Sequence, residues 1–358
     1  MKENIVVVGG YGHVGQILCK ELGEMFPGKV FAAGRSLEKA EAFSRTMAGK
    51  VQPMRLDIME SVDPDVLRDV KIVVMCLDQK DVTFVRTCLQ QGIHYVDISA
   101  NIDFLSQVEK LDAEAVSGKA AALLSVGLTP GFSNLMALEA SRQMDQTDTI
   151  DIAVMLGLGD KHGKAAIEWT LNNISKDFQV MRNGTKLSVA SFRDGKVFDF
   201  GSDLGRKKAY RFNFSDQHTL PRSMGTPSVK TRLCFDSSFA TYLFAMLKAI
   251  GIFRLLRFGT IRHAAAEAFG KLKMGSDRFA LKVEAYGKKD GRSVKAEVFL
   301  QGRMEADMTA RVAAAVTKAL YESDVPHGVH HIEQLFDLGI MPSSIRERVI
   351  REIQITQN

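Results

Sequence analysis

Three glycines near the N-terminus have the spacing of a dinucleotide-binding turn. They form the pattern GxGxxG within GGYGHVG, directly after the apolar run Ile5–Val8 and before an amphipathic segment. In a strand–turn–helix setting such glycines allow a tight turn, the close approach of a pyrophosphate and the packing of the helix. The anion would then lie on free amides at the helix N-terminus. The predicted cofactor-binding residues of this turn are Gly10, Tyr11, Gly12, His13, Val14 and Gly15.

The segment AAGRS, Ala32 to Ser36, places a cation where many dinucleotide-binding chains carry a carboxylate. Arg35 lies 20 residues after Gly15, where an acidic residue would bind the ribose hydroxyls of NAD. A guanidinium instead makes bidentate, charge-assisted bonds to a 2′-phosphate, which a carboxylate would repel. Ser36 adds a hydroxyl, and we expect its amide to be free at the start of the next helix. The segment therefore predicts NADP as the cofactor, and a solvated loop charge is the alternative for Arg35.

Other candidates fall at the carboxyl ends of predicted strands, where a doubly wound sheet binds its ligand. Asp57 is a candidate for an adenine contact or, equally, for a surface cap. The following strand ends near the expected nicotinamide half of the site. The remaining candidates at strand ends are Cys76, Leu77, Asp78, Ser99, Thr129 and Gly131.

Hydride transfer also needs a proton donor or acceptor and, for a carboxylate substrate, a cationic anchor. His162 and His218 are candidates for the proton relay and Arg222 for the anchor, within the polar segments GLGDKHG and SDQHTLPRS. Asp97 closes a buried strand beside the expected nicotinamide, where it would contact the substrate or a bound water. The alternatives are hydrogen-bonded histidines, an arginine that caps a carbonyl and a buried structural acid. We expect residues 216–222 to form a polar loop.

The first 150 or so residues alternate between two kinds of segment. Continuous apolar, β-branched runs predict strands that are buried on both faces, and amphipathic segments between them predict helices. The predicted strands are Ile5–Val8, Val30–Ala33, Lys71–Leu77, His94–Ser99 and Ala121–Val126, and the predicted helices include Val14–Met25, Asp81–Gln91 and Ile102–Ser117. This alternation is typical of an α/β fold with a Rossmann doubly wound parallel sheet.

After about residue 150 the pattern changes to alternating strands joined by hairpin turns. Asn183-Gly184 and Asp290-Gly291 each separate two alternating runs, as two-residue hairpin turns do. Phe239–Ile250, Ile261–Leu272 and Glu305–Ser323 have the pattern of helices. This half of the chain therefore predicts an α+β domain with a mostly antiparallel sheet.

The composition excludes several functional classes. The chain has 358 residues, of which 46% are hydrophobic and 25% charged, as in a globular protein of two domains. A net charge of +5 without a long basic run suits anionic small molecules and predicts no nucleic-acid partner. The four cysteines have no metal-binding spacing, which predicts a cytoplasmic protein without a metal. No stretch approaches the ~20 apolar residues of a membrane span.

The basic amphipathic segment Phe253–Gly275 has two interpretations. Its apolar residues need a partner surface, which predicts a lid or a dimer helix. A helix that lies on a membrane surface is the alternative.

Together these motifs resemble the saccharopine dehydrogenase family over nearly all of the chain. The resemblance rests on GGYGHVG with AGRS, on GIHYVDIS (Gly92–Ser99), on GLTPGFSNLMA (Gly127–Ala137) and on Met304–Phe336. In that family a substrate domain is inserted before a last helix that returns to the Rossmann domain. The resemblance implies an NADP-binding domain at 1–148 and 304–358, with an inserted substrate and dimerisation domain at 149–303.

The family includes saccharopine reductases, lysine 6-dehydrogenases and carboxynorspermidine dehydrogenases. The resemblance implies an NADP(H)-dependent homodimer that transfers hydride at a carbon–nitrogen bond of an amino-acid or polyamine-type substrate, a small carboxylate or amine. Pro130-Gly131 is followed here by Phe132, Ser133 and Asn134, not by the acidic residue and histidine of the lysine-pathway saccharopine reductases. The chain is in this respect more similar to the lysine-dehydrogenase branch. Carbonyl or enoyl reduction and a non-catalytic NADPH-binding sensor are the open alternatives.

Overall fold

The structure is a computed structural model that describes residues 2–60, 62–161, 163–182, 185–271 and 275–355. The catalytic candidate His162, the predicted turn Asn183-Gly184 and Leu272, the end of one predicted helix, lie outside the described residues. The chain divides into two compact units. The first unit is Met1–Phe132 with Ala306–Met341, and the second is Ser133–Glu305 with Pro342–Asn358.

The strands are β1 (Asn4–Val8), β2 (Val30–Gly34), β3 (Val51–Arg55), β4 (Val70–Met75), β5 (His94–Asp97), β6 (Ala121–Leu124), β7 (Gln146–Leu156), β8 (Phe178–Arg182), β9 (Thr185–Val189), β10 (Lys196–Asp199), β11 (Arg206–Arg211), β12 (Ser228–Phe235), β13 (Arg278–Lys289), β14 (Arg292–Arg303), β15 (Gly328–His331) and β16 (Ile350–Ile355). The helices are α1 (His13–Met25), α2 (Leu37–Arg45), α3 (Thr83–Gln90), α4 (Ile102–Val108), α5 (Asp112–Ser117), α6 (Ser133–Ser141), α7 (Lys164–Ser175), α8 (Asp216–Ser223), α9 (Ser238–Ala249), α10 (Gly259–Lys271), α11 (Glu305–Glu322), α12 (Ile332–Leu335) and α13 (Ser343–Arg346). No helix among the described residues is both long enough and apolar enough to cross a membrane.

The first unit contains a seven-stranded parallel sheet in the order β15-β6-β5-β4-β1-β2-β3. Its central strands are covered on both faces, so their side chains are apolar throughout, and Ile5–Val8 are fully buried. Helix α1 packs on the sheet through Leu18 and Leu22, which are also fully buried. From β1 the chain adds β2 and β3 on one side of the sheet and then β4, β5, β6 and β15 on the other. A change in strand order of this kind, here between β1 and β4, is where doubly wound sheets bind ligands, at the carboxyl ends of the strands. The predicted Rossmann sheet is confirmed.

The second unit contains a seven-stranded sheet in the order β10-β11-β12-β7-β13-β14-β16. Strands β12 and β7 are parallel, and every other pairing is antiparallel. The predicted hairpin between β13 and β14 is present, because Asp290 and Gly291 both have positive φ, 49° and 75°. Strands β8 and β9 form a separate antiparallel pair. The prediction of a mostly antiparallel sheet is therefore confirmed.

The boundaries of the compact units differ from the domain boundaries that the resemblance implies. The second unit begins at Ser133, not at residue 149, because α6 packs on β7, β13 and β14. It also includes the end of the chain, because β16 pairs with β14 along Ile350–Ile355. The C-terminal part of the first compact unit is therefore Ala306–Met341. The domain boundaries 1–148 with 304–358, and 149–303, stay a prediction.

One predicted loop is a helix in the structure. Residues Asp216–Ser223 form α8, although Pro221 within it suggested a polar loop. Proline near the end of a short helix removes one N–H and leaves the earlier turn intact. Thr219 and Leu220 are buried, so the packing of α8 on β12 stabilises the helix despite its low helix propensity.

Candidate functional site

The glycine-rich turn connects β1 to α1 with almost no free space around its backbone. A Cβ on Gly10 would lie 2.7 Å from Cα of Ala32, and a Cβ on Gly15 would lie 2.1 Å from the carbonyl oxygen of Gly9. Any side chain at these two positions would therefore force the strand and the helix apart. Gly12 is the N-cap of α1 and offers no side chain to the first helical amides. The turn thus presents backbone N–H groups at a helix N-terminus, which is an anion-binding arrangement.

Arg35 lies at the carboxyl end of β2, directly before Ser36, the N-cap of α2. The Arg35 side chain is exposed, and among the described residues it forms no hydrogen bond or ion pair. Ser36 Oγ accepts a hydrogen bond from Lys39 N at 3.3 Å, as an N-cap residue does. The expectation that the Ser36 amide is free is wrong, because this N–H donates to the hydroxyl of Tyr11 at 3.1 Å.

A cavity of about 360 Å³ lies between the segment after β3 and the start of α3. Its walls include the apolar side chains of Ile58, Val62 and Phe84 and the amide side chain of Gln79. Asp57, the candidate adenine contact, accepts a hydrogen bond from Met59 N at 3.0 Å and does not line this cavity. Its carboxylate therefore stabilises the turn at the end of β3.

The segment after β4 lies beside the glycine-rich turn. Leu77 is close enough to Gly9 that a Cβ there would lie 2.9 Å from the Leu77 side chain. Burial raises the pKa of the Cys76 thiol to about 12, so this thiol stays protonated at neutral pH. Asp78 follows, and its charge contributes to the raised pKa of Asp97.

Asp97, at the end of β5, is fully buried and hydrogen-bonded on both oxygens. Oδ1 accepts from the Ser99 N–H at 2.7 Å, and Oδ2 accepts from the Tyr95 hydroxyl at 2.5 Å. Gln79 Nε2 donates to the Tyr95 hydroxyl oxygen at 2.6 Å and lies 3.3 Å from Asp97 Oδ2. Burial raises the pKa of Asp97 from 3.8 to about 6, and the bonds from Tyr95 and Ser99 oppose that rise. Asp97 is thus a carboxyl that changes protonation close to neutral pH.

The turn Thr129–Gly131 follows β6 and is held from two directions. Gly131 has φ of 132°, and a Cβ on it would lie 3.0 Å from the carbonyl oxygen of Ser125. Leu128 N donates to Thr309 Oγ1 of α11 at 3.2 Å, which ties the turn to a helix far away in sequence. The hydroxyl of Thr129 is buried, and in the described structure it has no hydrogen-bond partner. A buried hydroxyl without a partner is a candidate ligand contact.

In the second unit, Asp216 is fully buried at the start of α8. Its Oδ1 accepts from Thr231 Oγ1 at 2.5 Å and from Gln217 N at 2.7 Å, and its Oδ2 accepts from Ser133 Oγ at 3.2 Å. This carboxylate therefore joins α8, β12 and α6 and has a structural role.

His218 is half-buried on α8 and is neutral at physiological pH. Burial, together with the charges of Arg211 and Arg222, lowers its pKa to about 4. Its Nε2 lies 2.7 Å from Asn213 Oδ1, and since an amide oxygen can only accept, Nε2 carries the proton and donates. The His218 ring also contacts Phe178. Arg222 is exposed, and its Nε donates to the His218 carbonyl oxygen at 3.3 Å. This is the contact that the alternative for Arg222, an arginine that caps a carbonyl, requires.

A second cavity, of about 420 Å³, lies within the second unit beside the β8–β9 pair. Its lining includes Arg211, Lys230, Asp194 and Ser228. Only 4% of the Arg211 side chain is exposed, and it donates to Gln217 Oε1 at 2.9 Å and lies 3.8 Å from the Asp194 carboxylate. The cavity combines cationic, anionic and hydroxyl groups, which suits a zwitterionic ligand.

Three residues of these sites were missed by sequence reasoning. Gln79 and Tyr95 surround Asp97, and Arg211 lines the larger cavity. Tyr95 lies two residues before Asp97 on one strand, so a shared face could have been predicted from the alternation of side chains. Gln79 follows no local pattern because its partners Tyr95 and Asp97 lie on the next strand. Arg211 ends β11 and bonds Gln217 of α8, a contact that depends on how the chain turns between the two elements.

Residues 5–123 match the family model of the saccharopine dehydrogenase NADP binding domain. The match covers about a third of the chain and lies within the first unit. It confirms the resemblance, the predicted NADP cofactor and the predicted class, an NADP-dependent oxidoreductase. Among curated proteins, no sequence matches the chain.

Two solved structures are similar in fold to this chain over nearly its whole length. The apo saccharopine dehydrogenase (L-Glu forming) of Saccharomyces cerevisiae is 13% identical with a TM-score of 0.70, and the alignment covers 98% of this chain and 100% of that one. An engineered D-amino acid dehydrogenase bound to NADP+ is 13% identical with a TM-score of 0.50, over 97% of this chain and 98% of that one. At these identities the likeness shows the fold.

The residues present in the first unit fit NADP. The glycine-rich turn provides amides that no side chain covers, and Arg35 is an exposed cation without a partner among the described residues. Two buried side-chain oxygens, Gln79 Oε1 and Thr129 Oγ1, lack a hydrogen-bond partner in the described structure. Unpaired buried polar atoms are costly unless a ligand satisfies them.

Proposed function

We propose that the protein transfers hydride between NADP(H) and a carbon–nitrogen bond of a small substrate that carries both an amine and a carboxylate. The observation that carries this proposal is Asp97, a fully buried carboxyl with a pKa of about 6 at the carboxyl edge of the NADP-binding sheet. Reduction of an imine needs a proton at nitrogen, and oxidation of an amine must release one. A carboxyl with a pKa near neutral can act in either direction.

The bound cofactor would accept or supply the hydride, which no protein side chain can do. The glycine-rich turn would hold its pyrophosphate, Arg35 its 2′-phosphate, and the oxygens of Gln79 and Thr129 its nicotinamide half. The support is the exposed cation at one end of the sheet edge and the two unsatisfied oxygens. Cys76, Leu77 and Ser99 lie on the same strand ends and would line this half.

Asp97 would hold the exchanging proton because its neighbours stabilise a defined carboxyl geometry. Burial raises the pKa of the Tyr95 hydroxyl well above its ordinary value, so Tyr95 stays protonated and donates to Oδ2. Ser99 N–H fixes Oδ1. Gln79 links the pair to the segment after β4, so a substrate that contacts Gln79 would alter the environment of Asp97.

The second unit supports a substrate with a carboxylate. The 420 Å³ cavity places Arg211 and Lys230 in one lining with Asp194, which suits a carboxylate on the cations and an amine on the acid. We propose Arg222 as a further anchor. His218 stays neutral and already donates to Asn213, so we propose it as a positioning residue and no longer as the proton relay.

A turnover assay with NADPH and pairs of 2-oxo acids and amines tests the proposal. We expect NADPH oxidation only when both partners are present. Oxidation with a 2-oxo acid or an enoyl compound alone would support the carbonyl or enoyl alternative, and tight NADPH binding without turnover would support the sensor alternative. Asp97→Asn should abolish turnover and keep NADPH binding. Asp103→Asn is the matched control, because Asp103 is an exposed carboxylate of the same unit.

We also propose a homodimer formed through the second unit. Along α9 and the turn that follows it, large apolar side chains are exposed at intervals of two to four residues: Phe239, Tyr242, Met246, Ile250, Ile252, Leu255 and Phe258. Phe239 is 72% exposed, Tyr242 53% and Phe258 47%. Since an aromatic side chain presents ~150–250 Å², these three alone expose on the order of 300 Å², a large part of the ~800 Å² per partner of a stable interface.

Sedimentation velocity at micromolar concentration tests the dimer. We expect the native chain to sediment as a dimer and Met246→Glu, in the middle of the stripe, to give monomers. Met59→Glu is the control, because Met59 is similarly exposed, 55% against 52%, but belongs to the first unit. A native monomer would contradict the proposal, and a monomer that co-sediments with anionic vesicles would favour the membrane-surface alternative.

A cytoplasmic location remains part of the proposal. Its support is that all four cysteines are free in the structure. Thiol labelling of the protein from its native cells should find every cysteine reduced, and a disulfide would contradict the location.

A further inference from the structure

We infer that the hydroxyl of Tyr11 is a specificity-determining group for the cofactor, which donates a hydrogen bond to the 2′-phosphate of NADP. In the sequence, Tyr11 belongs to the glycine-rich turn, whose backbone amides are predicted to bind the pyrophosphate. The structure places its side chain against Gly34 and the Ser36 amide, in the segment AAGRS. The inference rests on the proposed role of Arg35 in that segment.

The ring of Tyr11 lies directly against Gly34. A Cβ on Gly34 would lie 2.4 Å from the Tyr11 hydroxyl oxygen and 2.6 Å from ring atoms Cε1 and Cζ. Gly34 therefore makes room for this ring, since its backbone has no positive φ that would itself require glycine. The backbone of Tyr11 is fixed as well, because Gln16 Nε2 donates to its carbonyl oxygen at 2.9 Å. Both ends of the residue are held.

The hydrogen bond to Ser36 determines which way the Tyr11 hydroxyl can act. Its oxygen accepts the Ser36 N–H at 3.1 Å. A phenol has one O–H donor as well as its acceptor lone pairs. A backbone N–H can only donate, so the proton of Tyr11 must point away from Ser36. The hydroxyl is thus an oriented donor at the start of α2.

The polar residues that follow β2 and end β3 are donors too. Arg35 contributes an exposed guanidinium without a partner among the described residues, and the Ser36 oxygen already accepts from Lys39 N, which leaves its O–H to donate. Arg55, an exposed arginine at the end of β3, is the register partner of Gly34. The neighbouring ends of β2 and β3 thus carry donors and cations, and a dianionic phosphate supplies the acceptors that they need.

A cofactor without a 2′-phosphate would leave these donors to water. Tyr11 should therefore contribute to NADPH binding and not to NADH binding. Its effect should also be present in 2′,5′-ADP, which carries the phosphate but no nicotinamide, and absent in 5′-ADP.

Binding measured by calorimetry and by NADPH fluorescence tests the inference without any turnover. Tyr11→Phe keeps the ring against Gly34 and removes only the hydroxyl. We expect the Kd of NADPH and of 2′,5′-ADP to rise about tenfold, since a hydrogen bond to a charged group is lost. The Kd of NADH and of 5′-ADP should change less than about twofold by the same reasoning. Tyr321→Phe is the matched control, because that phenol of the same unit accepts from Lys29 at 3.4 Å.

Two results would overturn the inference. Unchanged NADPH affinity in Tyr11→Phe would show that the hydroxyl serves only the turn. Tighter NADPH binding would show that it competes with the phosphate for the Ser36 amide. Failure of the Arg35 assignment is separate, because it would appear as equal NADPH and NADH affinity in the native protein. A melting temperature of Tyr11→Phe within the range of Tyr321→Phe excludes misfolding.

Discussion

Replacing Asp97 by asparagine should change the pH dependence of stability in a defined direction. The folded pKa of about 6 lies above the ordinary 3.8, so the unfolded chain releases this proton at lower pH than the folded one. As pH rises from about 4 to about 6, the unfolded state therefore gains stability relative to the folded state. Ionising the buried carboxyl at neutral pH costs about 3 kcal/mol, from a difference of roughly two pKa units.

An asparagine in place of Asp97 cannot ionise, so the variant lacks this penalty. Its amide oxygen can still accept the Ser99 N–H, and its NH₂ group can donate to Tyr95 if that hydroxyl turns. Changes in these hydrogen bonds affect the variant equally at both pH values. The stability of Asp97→Asn relative to native should therefore be greater at about pH 7 than at about pH 4 by about 2–3 kcal/mol.

Urea unfolding of the native protein and of Asp97→Asn at the two pH values measures this difference in the free energy of unfolding. The unfolding is monitored through a signal from the first unit. Carbon NMR of labelled aspartate measures the pKa itself, and Asp103→Asn controls for loss of an exposed carboxylate. An equal effect of Asp97→Asn at both pH values, or an Asp97 that titrates near 4, would refute the reasoning.

Further predictions concern the two ends of the proposed site. Arg35→Asp should weaken the affinity for NADPH about tenfold or more and leave the affinity for NADH nearly unchanged, since a charge-assisted bond is worth about 1.5–3 kcal/mol. Fluorescence titration measures both affinities, and Arg45→Asp, at another exposed arginine, is the control. An equal loss of affinity for both cofactors would contradict the prediction. His218→Ala should lower turnover and leave the affinity for NADPH unchanged. Because the pKa of His218 is about 4, the pH profile of native turnover should contain no titration due to His218 above about pH 5. Arg222→Ala should raise the apparent substrate constant without changing NADPH affinity, and an unchanged constant would remove it from the site.

The cofactor half of the molecule was largely predictable from the sequence, because its features are local. Gly15 packs on the carbonyl oxygen of Gly9 and Gly10 packs on Ala32 of the next strand, so these glycines record the contacts of one strand–turn–helix unit. In the second unit, Asp290-Gly291 specifies a tight turn by its own φ values. Such constraints belong to single supersecondary motifs with a characteristic residue spacing, so the sequence pattern predicts them directly.

The rest depended on partners distant in sequence. The Ser36 amide is bonded because Tyr11 reaches it from another turn, and α8 forms despite Pro221 because its apolar residues pack on β12. β16 joins the second sheet through register with β14, which no local pattern indicates. The raised pKa of Asp97 arises from burial by the folded chain, so the sequence could name the residue but not its protonation state.

Deuterium transfer tests the central claim most directly. NADPH deuterated at C4 of the nicotinamide, on either face, is incubated with the protein and the pairs of 2-oxo acid and amine, and the products are analysed by mass spectrometry. The account predicts a product amine with deuterium on the carbon bonded to nitrogen, formed by the native protein and not by Asp97→Asn. Deuterium on an alcohol or alkane carbon, or no transfer from either face with any pair, would contradict it.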